Sequence, residues 1–367
     1  MTDMKPAQGH GKYFSRILLI GSLLLAISSG ALAEGLPPPS PPPLRDAAKS
    51  KGIRIGATVD DWILKRPELA DLLIRQFDTA AIENSLKFLQ ISTGRGTYDF
   101  TRADQLVDFL NARGLAVQGH VLVWHVDNPK WLDEGKFTKD EAESILKEHI
   151  FAVGGHFRGR VAAWDVVNEA FEENGTLRDT VWLRTIGPDY IEKAFRWARE
   201  ADPDAVLFYN DFRIEWGNPK SDAVLNLLKD LKAKGVQVDA VGFQSHLDMQ
   251  KPFDLASVRK NIGRFSRAGF PVMITELDIQ VPKPGDVRQR KQEAEVAADF
   301  LQAVLAGGKV KSVTFWGLTD ENSWIPSWFP NALPGLLFTA DLKPKPIFDA
   351  VLKTIEKSAP AAGQPVK

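Results

Sequence analysis

The sequence predicts one α/β domain folded as a single (β/α)8 TIM barrel. Short apolar runs alternate with amphipathic stretches at intervals of about 30 to 45 residues, which is the spacing of repeated βα units. Eight such runs occur, and the 367-residue chain is long enough for a barrel, which typically takes about 250 residues. A doubly wound open sheet is the alternative, but no Gly-rich phosphate loop follows the first predicted strand.

Each predicted strand is a short, mostly apolar run. The eight strands are expected at Ile53–Thr58, Phe77–Ile82, Ala116–Val123, Val161–Val167, Ala205–Asn210, Ala240–Gln244, Val272–Thr275 and Ser312–Trp316. Between them, apolar residues recur at three- and four-residue spacing, as on the buried face of a helix. Helices are expected, for example, at Arg102–Arg113, Asp189–Glu200, Lys220–Lys234 and Arg288–Leu305.

The two ends of the chain differ from this pattern. Residues 1–33 carry Lys12 and Arg16, then an apolar run and the sequence Ala31-Leu32-Ala33, which together predict a secretory signal peptide; an uncleaved membrane anchor is the alternative. Residues 34–43 form a Pro-rich linker, and residues 358–367 predict a disordered tail. The folded domain is therefore expected at residues 44–357, in a protein secreted to the periplasm or the medium.

Composition narrows the class of partner. Lys plus Arg (46) nearly equals Asp plus Glu (47), so we expect no nucleic-acid partner and, once the signal is removed, no membrane partner. The absence of cysteine excludes disulfides and thiolate catalysis. The histidines are dispersed, so neither a metal nor a cofactor is expected. Ten Trp exceed what core packing requires, which suggests that some of them bind a neutral ligand. The protein is expected to be a monomer.

Polar side chains accumulate where the predicted strands end, which is where a TIM barrel carries its active site. They are Glu83, Asn84 and Lys87, then His120, Trp124 and His125, then Asn168 and Glu169, then Asn210 and Asp211, then Gln244 and His246, then Glu276 and Asp278, and finally Trp316 and Trp324.

Two of these carboxylates, Glu169 and Glu276, end strand patterns of period two on strands far apart around the barrel, so they could face each other across its mouth. Glycoside hydrolysis requires such a pair, one carboxyl protonated and one ionised. The alternative for either glutamate alone is a solvated or salt-bridged surface residue.

Six blocks of sequence, in order, resemble glycoside hydrolase family 10, from about residue 44 to residue 355. They are Glu83-Asn84-x-x-Lys87, Gly119-His120-x-Leu122-Val123-Trp124-His125, Trp164-Asp165-Val166-Val167-Asn168-Glu169, Gln244-x-His246, Ile274-Thr275-Glu276-Leu277-Asp278, and Phe315-Trp316-Gly317 with Ser323-Trp324.

The resemblance implies a retaining endo-1,4-β-xylanase in which Glu169 is the general acid/base and Glu276 the nucleophile. Their carboxyl groups are then expected about 5 to 5.5 Å apart, with a covalent glycosyl-enzyme intermediate. It further implies the following roles: Asn168 binds the sugar 2-hydroxyl; Gln244 and His246 hold the nucleophile side; Glu83, Asn84 and Lys87 bind hydroxyls on the non-reducing side; His120 and Trp124 lie nearer the cleaved sugar; His125, Asn210 and Asp278 support the site, Asp278 by orienting an imidazole such as that of His246.

By the same resemblance, Trp316 and Trp324 wall the cleaved sugar, and Trp324 favours xylose over a sugar that bears a hydroxymethyl group. Three other tryptophans, Trp131, Trp164 and Trp182, are expected to pack inside the protein. The sequence departs from the family pattern at Ser85, Phe88, Asp127 and Arg213. These departures put fine substrate preference in doubt, above all Asp127 one sugar away from the cut.

The implied substrates are xylan and xylo-oligosaccharides. Two alternatives stay open: a barrel glycanase acting on glucan or mannan, and a carbohydrate-binding protein without catalysis.

Overall fold

A computed structural model describes residues 43–251 and 254–360 of the chain. The predicted signal peptide (1–33), all but the last residue of the predicted linker (34–43) and residues 361–367 of the predicted tail lie outside the described residues. Among the helices that are described, none has both the length and the apolar character needed to cross a bilayer.

Eight parallel strands form a closed barrel. They are β1 (Arg54–Val59), β2 (Thr79–Ile82), β3 (Ala116–Gly119), β4 (Ala163–Asn168), β5 (Val206–Asp211), β6 (Ala240–Phe243), β7 (Val272–Pro282) and β8 (Val310–Phe315). Each strand pairs with the next in the chain, and β8 pairs with β1 through registers such as Arg54 opposite Ser312, which closes the ring. The predicted fold class is confirmed.

Two predicted strand boundaries were wrong by several residues. The third strand ends at Gly119 instead of Val123, because regular pairing with β4 stops there; beyond it the backbone contacts β4 through Leu122 N–H to the Asp165 carbonyl at 2.9 Å and an isolated bridge from Val123 to Val167. The seventh strand continues to Pro282 instead of ending at Thr275, since its outer half pairs with His246–Asp248 and Ala332–Pro334. These pairings give the outer half of β7 partners that local sequence does not reveal.

A helix follows each barrel strand in the described residues, and together these helices surround the barrel. They are Pro67–Gln76, Thr101–Asn111, Lys139–His156, Tyr190–Ala201, Pro219–Ala233, Leu255–Arg267, Val287–Gly307 and Pro346–Lys357. The four predicted helices match to within two residues at each end. Asn218 and Ser221 form a capping box at the start of Pro219–Ala233, which satisfies backbone N–H groups that lack a partner within the helix.

Shorter elements complete the fold. Helix Leu44–Ser50 precedes β1, and the Lys51 ammonium next to it donates to the Ser358 carbonyl at 2.7 Å, joining the two ends of the domain. The remaining elements are Asp61–Lys65, Phe88–Ile91, Ser92–Gly94, Thr97–Tyr98, Lys130–Asp133, Val181–Thr185, Asp320–Asn322 and Ile325–Trp328.

Neighbouring strands approach closely where polar side chains must meet. A Cβ added at Gly242 of β6 would lie 2.4 Å from Asn210 Oδ1 and 2.9 Å from Thr275 Cγ2. Only glycine leaves room for the Asn210 side chain between β4, β6 and β7. This packing positions Asn210 for the site above it.

Candidate active site

Glu276, near the middle of β7, is buried and has a partner on each carboxylate oxygen. Asn210 Nδ2 donates to Oε1 at 2.7 Å, and His246 Nε2 lies 3.1 Å from Oε2. The opposite ring nitrogen of His246, Nδ1, lies 2.8 Å from Asp278 Oδ1. The imidazole is therefore held between two carboxylates.

The surroundings of His246 favour its protonated form. Burial alone lowers its pKa, but the Asp278 and Glu276 carboxylates outweigh burial and hold the pKa well above its usual value. Trp324 Nε1 donates to the second oxygen of Asp278 at 2.6 Å, so an indole at the rim of the site is tied to the same chain of contacts. The structure thus places Asp278 against His246, as the resemblance implied.

Glu169 follows β4 with a left-handed backbone (φ 57°), which a non-glycine residue rarely adopts. Gln244 Nε2 donates to Glu169 Oε1 at 2.9 Å. The Asn168 amide lies 3.1 Å from the Gln244 amide and 3.2 Å from Trp124 Nε1. On the other side, His125 Nδ1 lies 3.9 Å from Glu169 Oε2, and burial lowers the pKa of this imidazole.

Backbone contacts hold the unusual conformation of Glu169. Its N–H donates to the Asn210 carbonyl at 2.9 Å, and its carbonyl accepts from Arg178 Nε at 3.0 Å. The N–H of Ala170 donates to the Tyr209 hydroxyl at 3.0 Å. Such contacts are required where a strained backbone is kept at a site.

A buried polar chain extends behind this segment. The Tyr209 hydroxyl donates to Asp211 Oδ2 at 2.6 Å, and Asp211 Oδ1 pairs with the fully buried Lys220 ammonium at 2.7 Å. Burial raises the pKa of Asp211 to about 7 although Lys220 opposes the shift. Sequence reasoning assigned no role to Tyr209, Lys220 or Arg178, and only Tyr209 gave a signal, as a hydroxyl in an apolar strand; Lys220 and Arg178 lie in polar segments where a basic residue is unremarkable.

The sequence analysis also missed the role of Asp165. It is fully buried on β4, with Oδ2 3.0 Å from His120 Nδ1 and accepting from Asn210 Nδ2 at 3.1 Å. Burial, with the charge of Glu276 adding to it, raises the pKa of Asp165 well above its usual value, and burial lowers the pKa of His120 to about 4. The period-two pattern that pointed to Glu169 includes Asp165 and was the available signal.

His120, Asp165 and Glu276 bring potential metal-ligand atoms within 4.8 Å of one another in the described residues. His120 Nδ1 contacts Asp165 Oδ2, which also accepts from Asn210, and the two oxygens of Glu276 contact Asn210 and His246; of the cluster's atoms, Asp165 Oδ1 alone is buried without a partner among the described residues. We therefore interpret this cluster as one hydrogen-bonded network.

Glu83, Asn84 and Lys87 follow β2, and Asp60 holds the loop that carries them. Asp60 Oδ2 accepts from the backbone N–H of Asn84 at 2.7 Å, and its other oxygen accepts from the Ser85 hydroxyl. Burial raises the pKa of Glu83 to about 7, with Lys87 opposing the shift. Because its hydroxyl bonds Asp60, Ser85 helps to hold this loop in position.

Asp127 forms an ion pair with Lys87, with Nζ 2.9 Å from Oδ2, and the same ammonium lies 5.1 Å from the centre of the Trp124 ring. Phe88 is instead buried, stacked on His149 at 3.6 Å between ring centres, so its difference from the family pattern concerns packing. Arg213 is exposed and lies 3.5 Å from Glu173.

Aromatic rings surround the two glutamates. His120 lies 5.5 Å from Trp124 and 5.4 Å from Trp316, and His246 lies 4.9 Å from Trp324, all between ring centres. By contrast, Trp164 and Trp182 are buried and Trp131 packs partly buried against the core. The structure thus brings together the site residues predicted from sequence and leaves these other indoles in packing positions.

The barrel and this site define a class of protein. Two glutamates lie at the mouth of a TIM barrel, one just after β4 and the other within β7. Hydrogen bonds through Gln244, Asn168 and Asn210 connect them, and indole rings surround them. A pair of carboxylates in different surroundings, with aromatic rings beside them for sugar stacking, is typical of a glycoside hydrolase active site.

Comparison with known proteins gives the particular family. Residues 43–354 match Glycosyl hydrolase family 10, and the chain belongs to this family. It is 40% identical to endo-1,4-beta-xylanase B of Thermotoga neapolitana over 86% of this chain and 92% of that protein, and 37% identical to the beta-1,4-xylanase of Dictyoglomus thermophilum over 92% and 98%. The crystal structure of xylanase 10B from Thermotoga petrophila RKU-1 in complex with xylobiose is 42% identical, with a TM-score of 0.83 over 86% of this chain and 97% of that one.

Proposed function

We propose that this glycoside hydrolase is a secreted endo-1,4-β-xylanase that cleaves internal bonds of xylan with retention of anomeric configuration. The observation that carries the proposal is the difference between the surroundings of the two glutamates. Glu276 has an imidazole and an amide donor within hydrogen-bond distance of its two oxygens, whereas Glu169 has an amide donor on one oxygen and the His125 imidazole 3.9 Å from the other. Glu276 is held through both of its oxygens, which suits it to attack the anomeric carbon, and Glu169, which has a donor on one oxygen only, is the proposed proton donor.

The reaction then takes two steps. Glu276 attacks the anomeric carbon while Glu169 transfers its proton to the leaving glycosidic oxygen, which gives a covalent glycosyl-enzyme. Glu169, now ionised, takes a proton from water, and the water oxygen displaces Glu276 from the anomeric carbon. Asn168, which contacts Gln244 beside Glu169, is placed to bond the sugar 2-hydroxyl.

The rim of the site supports xylose as the preferred sugar. Trp324 is fixed by its bond to Asp278 and by contact with His246, so it cannot swing away without breaking that chain. A fixed indole beside the cleaved sugar leaves little room for a hydroxymethyl group, which glucose and mannose carry and xylose lacks. The relatives named xylanases support the same substrate.

Secretion rests on residues 1–33, whose basic start, apolar run and Ala31-Leu32-Ala33 ending support a cleavable signal.

The test is digestion of xylohexaose by protein that begins at residue 34, with the anomer of the new ends followed by proton NMR. We expect β-anomer first. Glu276→Ala should abolish cleavage, and Glu169→Ala should slow it by about 100- to 10,000-fold, the range of general acid–base catalysis. The matched control is Glu295→Ala, a largely exposed glutamate paired with Lys291 on an outer helix, which should retain activity.

Initial α-anomer would reject retention. Faster cleavage of glucan or mannan than of xylan would reject the substrate, and binding of xylohexaose without cleavage would leave a carbohydrate-binding protein.

A further inference from the structure

Trp328 is unusually exposed for an indole. Its exposed fraction is 72%, and among the described large apolar residues only Val287 exceeds it. Leaving a large ring in water forgoes the free energy that burial would supply, and this ring is not isolated because it adjoins Trp324, so the two form a contiguous apolar surface of the kind that marks a binding site.

The segment that carries Trp328 is anchored. Ile325, at the start of its short helix, is fully buried, and the N–H of Phe329 closes the helix on the Ile325 carbonyl at 2.8 Å. Beyond it, the Lys283 ammonium donates to the Pro330 carbonyl at 2.6 Å, and Ala332–Pro334 pairs with the end of β7. The ring is therefore presented by ordered backbone, which lowers the entropic cost of binding.

The ring continues the aromatic wall of the active site. The Trp328 and Trp324 ring centres lie 6.3 Å apart, with the planes inclined at 59°. Trp324 in turn contacts His246, which bonds Glu276. A chain of contacts thus leads from the proposed nucleophile outward to Trp328.

We infer that Trp328 is a stacking platform for a further sugar of a neutral β-linked pentose chain, beyond the sugar held at Trp324; this rests on the proposed function. The flat C–H face of such a sugar matches an exposed indole, and a neutral chain suits a protein of net charge −1. A second copy of the chain fits less well. One indole offers at most about 250 Å², against about 1,200 to 2,000 Å² in a specific protein interface.

The experiment compares Trp328→Ala, Trp328→Phe and the wild type on xylo-oligosaccharides of increasing length. We expect Trp328→Ala to lower kcat/KM for the longest oligosaccharides by about five- to tenfold, the equivalent of one lost stacking contact, and to leave the shortest cleaved substrate unchanged. Trp328→Phe should keep most of the length dependence because it keeps a ring. The control is Val287→Ala, which removes the other highly exposed apolar side chain, at the start of helix Val287–Gly307, and should change neither.

An unchanged length dependence in Trp328→Ala would overturn the inference, as would an equal loss on every length. The inference would also be overturned if Trp328→Ala had a different sedimenting mass from the wild type but the same length dependence, because the ring would then pack against another protein molecule. Failure of the proposed function is distinguishable, since the wild type would then cleave no xylo-oligosaccharide. Binding of xylohexaose to Glu276→Ala, with and without Trp328→Ala, gives the same comparison without catalysis: about tenfold weaker binding supports the platform, and equal binding refutes it.

Discussion

At the scale of single residues, His246 links the proposed nucleophile to the rim of the site. Its ring bonds Glu276 on one side and Asp278 on the other, and Asp278 also accepts from Trp324. A change at this imidazole therefore affects both the orientation of Glu276 and the position of Trp324.

Asp278→Asn should abolish a pH-dependent part of the stability. In the wild type the folded pKa of His246 lies well above its unfolded value of about 6.5, so its contribution is fully present below about pH 6.5 and is lost as pH rises through the folded pKa. Without the Asp278 charge, burial acts against the imidazolium. Urea unfolding at about pH 5.5 and about pH 9 should show a wide gap in free energy of unfolding between wild type and variant at the lower pH and a narrower gap at the higher.

The matched control is Asp248→Asn, because the Asp248 carboxylate pairs with the exposed Lys251. Its free energy of unfolding should differ little from that of the wild type at either pH. A gap for Asp278→Asn that stays constant with pH would contradict the assignment of charge to His246.

At the scale of elements, the register of three strands assembles the site. Asn210 on β5 donates to Glu276 on β7 and to Asp165 on β4, and its oxygen accepts from the Thr275 hydroxyl at 2.7 Å. The asparagine can occupy this place only because β6 offers Gly242 beside it. Packing between strands thus decides the position of the proposed nucleophile.

Gly242→Ala should impair catalysis more than its size suggests. The new Cβ would lie 2.4 Å from Asn210 Oδ1, so Asn210 must move and its bond to Glu276 is lost. We expect a fall in kcat of at least about tenfold with little change in KM, and a stability loss of about 1 to 3 kcal/mol from overpacking. Steady-state kinetics on xylohexaose and thermal unfolding measure the two effects.

Gly155→Ala, in helix Lys139–His156, is the control, because a Cβ there meets no atom within 4 Å. It should raise stability by about 0.5 to 1 kcal/mol and leave kcat unchanged. Wild-type kcat in Gly242→Ala would show that Asn210 does not govern Glu276.

At the scale of the whole molecule, charge is nearly balanced, with 46 basic and 47 acidic residues. The ion pairs that matter for the site, such as Lys220 with Asp211, are buried and weakly screened by salt. Neither the encounter with a neutral polysaccharide nor the site itself should depend strongly on ionic strength.

We therefore expect kcat/KM for xylohexaose to change by less than about twofold between about 50 and about 500 mM NaCl. Thermal unfolding in the same buffers serves as the control for intact protein. A fall of tenfold or more would show that a local charged surface, such as the Lys87–Asp127 pair, governs binding.

Local sequence determined the barrel and most of the site. Apolar period and strand spacing are short-range properties, so they predicted β1 to β8, and polar strand ends made Glu169 and Glu276 candidates; the six motifs and the roles of their residues came from the family resemblance. Strand ends were missed where distant segments supply the partners, as Ala332–Pro334 does for the outer part of β7.

Tertiary structure alone decided how these side chains act on one another. The buried Tyr209–Asp211–Lys220 chain, the role of Asp165 between His120 and Asn210, and the neutralisation of Lys87 by Asp127 all join residues from different elements. Burial and the approach of charges set pKa values and hydrogen-bond partners, and both depend on what the fold brings within a few ångströms. The type of each residue is written in the sequence, whereas its environment exists only once the barrel has closed.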